Sequence, residues 1–152
     1  MFEEIFKLEN IMLDLSCDKK VDILKAIAQL AFEKGVADSS EQILKGLLDR
    51  EALVSTSVGK NVAIPHCKST DIKKAGLFVI RLQNLVYWEG EDNDTVKFVF
   101  SILVSDQSNN LHLKLLSKLA KNLLHDDFLE SLNSASTEEE LFSTINAILT
   151  GE

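Results

Sequence analysis

Two runs in the second half of the chain limit its architecture more than any other feature: GLFVIRL, from Gly76 to Leu82, and VKFVFSILV, from Val96 to Val104. Both are dense in β-branched and aromatic residues, the pattern of strands buried on at least one face. A sheet built on them needs cover, and amphipathic segments on either side supply it. Upstream, IMLDL at Ile11 to Leu15 alternates well enough for a first strand, and Asp18 is placed to cap a helix reaching Gly35. In that helix Val21, Leu24, Ile27, Ala28 and Ala31 recur at helical spacing. Ser39 with Gln42 forms a capping-box pattern ahead of Ile43, Leu44, Leu47 and Leu48, which predicts a second helix to about Arg50. NVAIP then reads as a strand that stops at Pro65, because proline donates no ladder hydrogen bond.

Downstream, Ser108 or Asn109 can cap a helix whose stripe is Leu113, Leu116, Ala120 and Leu123, widened by Leu115 and Leu119. Thr137 and Glu140 make a second capping box before Leu141, Ile145 and Ile148, in a helix ending near Gly151. The predicted order is β-α-α-β-β-β-α-α-α. Strands grouped between helical pairs predict an α/β fold, a three-layer α/β/α sandwich around a central mixed sheet. At 152 residues with no linker or repeat, the chain is expected to form one domain, 1–152.

Composition narrows the partners. Hydrophobic residues make up 45% and charged residues 26%, the usage of a folded chain rather than a disordered one. The formal charge of −8 makes nucleic acid and anionic membrane surfaces poor partners, since both recruit clustered positive charge. Cys17 and Cys67 are too few for a disulfide framework, which favours a reducing, cytoplasmic setting. Glu3 and Glu4 stand where an export signal carries positive charge, and the apolar run Phe98–Val104 falls far short of the roughly 20 residues that cross a bilayer. No membrane insertion is expected. Neither is a metal or other cofactor, because the three histidines and two cysteines lack the tight spacing of a zinc site. The acidic run Glu89, Glu91, Asp92 and Asp94 lacks the glycine and terminal glutamate of a calcium loop and reads as solvated.

The segment REALVSTSVGKNVAIPHCKST, Arg50 to Thr70, gathers groups suited to handling an anion. Arg50 can grip a phosphate bidentately, Ser55 and Thr56 can donate hydrogen bonds, and Gly59 permits close approach of backbone amides. His66, held behind a rigid proline, can act as a nucleophile through one ring nitrogen while a hydrogen bond orients the other. Taken singly, each has a plainer reading, a loop histidine and a turn. His112 changes the balance: it falls in the first turn of the third long helix, where unpaired amides attract negative charge. His125 lies 13 positions further on, on another side of that helix, and reads as surface or helix end. Cys67 follows His66 directly, so in extended chain it points the opposite way and reads as structural.

On Arg50, Glu51, Ser55, Thr56, Gly59, Ala63, Ile64, Pro65 and His66, joined by HLKLLSKLA from His112 to Ala120, the chain resembles the fructose/mannitol-type enzyme IIA components of the bacterial sugar phosphotransferase system. The resemblance spans nearly the whole chain. It implies that His66 is phosphorylated through Nε2 by the histidine-containing phosphocarrier protein HPr and passes the group to a cysteine of a sugar-specific IIB component. It further implies that His112 faces the phosphoryl group across the site, that Arg50 supplies positive charge, and that Ser55 and Thr56 line the pocket. Where many relatives carry glycine after the histidine, Cys67 stands here. A nitrogen-type regulatory IIA protein that acts by phosphorylation-dependent protein binding keeps the same histidine; a non-catalytic interaction domain like those of anion exchangers shares the architecture, but the Arg50, His66 and His112 set argues against it.

Overall fold

The computed structural model describes residues 2–90, 94–108 and 110–151. A six-stranded mixed sheet lies between two layers of helices. The order is β1 (Ile11–Leu15), α1 (Lys20–Glu33), α2 (Ser40–Leu53), β2 (Ser57–Gly59), β3 (Val62–Ala63), β4 (His66–Ser69), β5 (Gly76–Trp88), β6 (Asp94–Ser105), α3 (Leu111–Leu123), α4 (Asp126–Ser134) and α5 (Glu138–Thr150). Strands run β1-β5-β6-β3-β2 across the sheet, with β4 also on β6. β5 and β6 are antiparallel, while β1, β3 and β4 each pair in parallel.

The two apolar runs form the sheet centre because both of their faces are covered. Phe78 and Ile80 of β5 join Ile23, Leu24, Ile27, Ile43 and Leu47 under α1 and α2. Their neighbours Leu77 and Val79 point the other way, to Leu115, Leu119, Leu141 and Ile145 of α3 and α5. Burial on both sides is what makes these strands continuously apolar.

Local signals set three of the helix ends. The Ser39 hydroxyl accepts from Gln42 N at 3.2 Å and that of Thr137 from Glu140 N at 3.1 Å, as the two capping boxes predict. Gly35, at φ +74°, closes α1: its N–H reaches Phe32 O and that of Val36 reaches Ala31 O, which satisfies the last carbonyls. The N-cap of α1 is Lys19, not Asp18; Lys19 O takes the first helical bonds, from Asp22 N and Ile23 N.

Three further expectations are corrected. The segment expected to give one strand ending at Pro65 forms three short ones, β2 to β4. Lys60 and Asn61, both at positive φ, turn β2 tightly into β3, and Pro65 interrupts pairing on β6 only between Ala63 and His66. The observed order therefore carries two strands more than the predicted one. α2 runs on to Leu53, because the Arg50 side chain itself donates from Nη1 to Val54 O at 2.8 Å and satisfies that terminus. On α3 the buried stripe is Leu115, Leu119 and Leu123, whereas Leu113 and Ala120 are exposed. Two leucine stripes share this helix at equal period, and only docking on the sheet chooses between them. His112 lies seven residues before Leu119, hence about 20° from it around the axis, so burial of Leu119 aims His112 at the sheet.

Of the acidic run, Asp94 opens β6 and accepts from Ser57 Oγ at 3.0 Å, Glu89 follows β5, and Glu91 and Asp92 lie outside the described residues. Asn109, one of the two expected caps of α3, also lies outside them; the cap position is Asn110. Among the described residues no helix is long and apolar enough to cross a membrane.

Candidate functional site

Beside the break at Pro65, an open cleft of about 470 Å³ is lined by Arg50 of α2, His66 of β4 and His112 of α3, with Lys45, Asp49 and Lys68 around them. Three elements far apart in sequence thus bring the expected histidines and arginine to one wall. His66 opens a strand rather than following a strand tip, because chain and sheet resume after the proline. It is half-buried at the cleft, while its neighbour Cys67 points into the core beneath α1 and α2. His125 is exposed at the N-cap of α4.

The hydrogen bonds of His66 fix its tautomer. Arg50 Nε lies 3.1 Å from His66 Nε2, and a guanidinium can only donate, so Nε2 accepts. The proton is then on Nδ1, which donates to Ile64 O at 3.0 Å. Nε2 therefore presents a lone pair to the cleft, the electronic requirement for a nitrogen nucleophile. Arg50 in turn is tethered at Nη1 to Val54 O, so its fork cannot wander far from the ring.

His112 has its Nδ1 shielded and, among the described residues, without a hydrogen-bond partner, although the ring as a whole is only half-buried. Its pKa falls below the ordinary 6.5, chiefly through burial, then through electrostatic interaction with Lys68 and His66. The sign of the consequence follows from proton counting. Between the folded value and 6.5 the unfolded chain binds the proton that the folded chain refuses. The contribution is complete above 6.5 and is lost as pH falls through that window. Thermal melts between about pH 7.5 and about pH 5 are expected to lose part of that slope in His112→Gln.

Ser55 and Thr56 stand elsewhere. The Thr56 hydroxyl donates to Glu51 Oε1 and its N–H to Glu51 Oε2 at 3.3 Å. Ser55 Oγ pairs with Ser57 Oγ at 3.1 Å, and neither Ser55 nor Thr56 is among the residues lining the cleft. Hydroxyls that the sequence offers to an anion are spent here on holding the α2–β2 loop, Thr56 on the buried Glu51 carboxylate and Ser55 on Ser57.

Sequence reasoning missed Lys68, Asp49 and the pair Glu51–Lys20, whose charged atoms lie 2.7 Å apart. Lys68 was readable, since residues i and i+2 of extended chain share a side. The Glu51–Lys20 pair joins two helices and leaves no local signal. The thiol of Cys67 is pushed up to about 11 by burial, then by Asp71 and Asp49, and so is protonated at neutral pH. Gly46 of α2 makes room for it: a Cβ at that position would land on Cys67 Sγ.

With this geometry in hand, comparison with known proteins gives one consistent picture. Residues 4–148 match the family model described as phosphoenolpyruvate-dependent sugar phosphotransferase system, EIIA 2. The fructose-specific EIIA component of Haloferax volcanii is 30% identical over 135 residues, covering 89% of this chain and 88% of that protein. The crystal structure of nitrogen regulatory protein IIA-Ntr from Neisseria meningitidis superposes with a TM-score of 0.87 at 32% identity, over 93% of this chain and 97% of that one. The same fold appears, at 22% identity and a TM-score of 0.80, in the Escherichia coli mannitol IIA seen in complex with phosphorylated mannitol IIB; 94% of this chain and 99% of that one are covered.

Proposed function

The chain belongs to the EIIA type 2 family of the phosphoenolpyruvate-dependent sugar phosphotransferase system, and we propose from this that it is a phosphoryl carrier with His66 as the acceptor. The observation that carries the reading is the pairing of Arg50 Nε with His66 Nε2 while Nδ1 is held on Ile64 O. Phosphorylated HPr docks at the cleft; the P–N bond of its phosphohistidine, protonated on the other ring nitrogen, breaks as the Nε2 lone pair of His66 forms a new one, so the donor ring leaves as neutral imidazole and the His66 ring takes up its positive charge. No proton moves, because Nδ1–H keeps its carbonyl. Arg50 turns from Nε2 to the phosphoryl oxygens, and His112, on the same cleft, supplies a further polar contact. Transfer of this kind passes a loose, charge-rich transition state, so positioning and charge stabilisation supply the catalysis.

The second transfer sends the group to a cysteine of a IIB component, a reading supported by the mannitol IIA–IIB complex that shares this fold. The exposed Leu53 at the cleft edge suits such a transient partner. Fructose or a mannitol-type hexitol is the substrate class proposed for the route that it serves. A second reading, a nitrogen-type regulator, is favoured by the close superposition on IIA-Ntr.

Incubation with phosphoenolpyruvate, enzyme I and HPr is expected to give acid-labile, base-stable label that peptide mapping assigns to His66. Label at another residue, or none, overturns the carrier reading. Labelled protein that gives its phosphate to no sugar-specific IIB, yet captures different proteins with and without phosphate, selects the regulator.

A further inference from the structure

Among the motif residues that the transfer chemistry leaves unused are Glu51 and Thr56, and their contacts lead back to His66. Glu51 is a buried carboxylate, its side chain 4% exposed, at the far side of the α2–β2 loop from the cleft. Oε2 meets Lys20 Nζ at 2.7 Å and Thr56 N at 3.3 Å, and Oε1 takes the Thr56 hydroxyl. Lys20 is anchored in turn by Glu89 O at 2.6 Å and lies 5.3 Å from the Trp88 ring centre. Thr56 is thereby held at both ends of its side chain and backbone. Its carbonyl accepts from Ile64 N at 2.9 Å, and Ile64 O is the acceptor of His66 Nδ1–H.

We propose that Glu51 is a positioning residue for His66, acting through Thr56 and Ile64 to hold the proton on Nδ1 during phosphoryl transfer. Ile64 precedes Pro65, so its backbone is already confined to extended geometry, and the bond from Ile64 N to Thr56 O pins the residue whose carbonyl takes the ring proton. The restraint matters at one moment. In the resting site Arg50 also enforces the tautomer, from the Nε2 side. When Arg50 turns to the incoming phosphoryl oxygens, that restraint is gone, and Ile64 O alone keeps the Nε2 lone pair free. A carboxylate buried against lysine is a firm anchor, since neither charge can leave without stranding the other. The inference rests on the reading of His66 as phosphoryl acceptor.

The test removes Arg50 from the resting site and reads the ring directly. In histidine-labelled, unphosphorylated Arg50→Ala protein, nitrogen-15 shifts are expected to show the Nδ1–H tautomer of His66 still dominant. Adding Glu51→Gln or Thr56→Val is expected to mix the two tautomers, changing their ratio by at least about threefold, whereas adding Thr56→Ser restores the Arg50→Ala spectrum. Should Glu51→Gln fail to fold, Thr56→Val, which keeps shape and loses one hydroxyl, decides alone. A ratio unmoved by Thr56→Val, or a ring already mixed in Arg50→Ala, overturns the proposal. The spectra need no phosphoryl donor, so failure of wild-type protein to take phosphate would sink the carrier reading separately.

Discussion

Glutamine in place of His66 is expected to abolish phosphorylation altogether while leaving the fold intact. The amide can still accept from Arg50 Nε, which lies 3.1 Å from Nε2 in the parent site, but it has no lone pair able to form the P–N bond. The residue is half-buried at an open cleft, so stability is expected to change by no more than about 1 kcal/mol. Arg50→Ala makes the instructive contrast. It keeps the nucleophile and removes the donor to the developing oxygen charge, an effect on the order of 10²–10³-fold in rate. Rapid-quench measurement of label from phosphorylated HPr checks both. Residual labelling of His66→Gln at the wild-type level would remove His66 from the mechanism, and a rate unchanged in Arg50→Ala would remove Arg50.

The second large effect belongs to the core. Phe100 sits on β6 with no exposed surface, packed in the cluster under α3 and α5. Phe100→Ala is expected to cost about 3–5 kcal/mol, the transfer term plus an unfilled cavity, out of a total of roughly 5–15 kcal/mol. Urea titration should show the midpoint falling while the slope holds. Leu113→Ala, at a position 51% exposed, is expected to stay within about 0.5 kcal/mol. The pair discriminates between two faces of the same layer: a large loss at Leu113 would mean that α3 docks by the Leu113 side of the stripe read from periodicity and not by its Leu115 and Leu119 side.

That stripe illustrates where legibility stops. The capping boxes at Ser39 and Thr137, the glycine exit of α1 and the strands around Phe78 and Phe100 could be read because each is set by residues a few positions apart. Arg50, His66 and His112 could be nominated because their chemistry is unusual at those places, although nothing local says that they share a cleft. Lys60 and Asn61, both at positive φ, hid a tight turn inside what looks like one strand.

Ser55 and Thr56 mark the boundary most clearly. A hydroxyl bonds to whatever acceptor lies about 3 Å away, and its chemistry does not name that acceptor. Residue order along the chain already dictated a covered sheet, the capped starts of α2 and α5 and a histidine behind a proline, since propensity, capping and periodicity act over a few residues. Folding alone allotted Thr56 to Glu51 rather than to an anion, turned His112 toward His66, and set the proton of the latter on Nδ1. Those outcomes depend on which groups the packed layers bring to one cleft or one loop, and periodicity, capping and propensity carry no record of that.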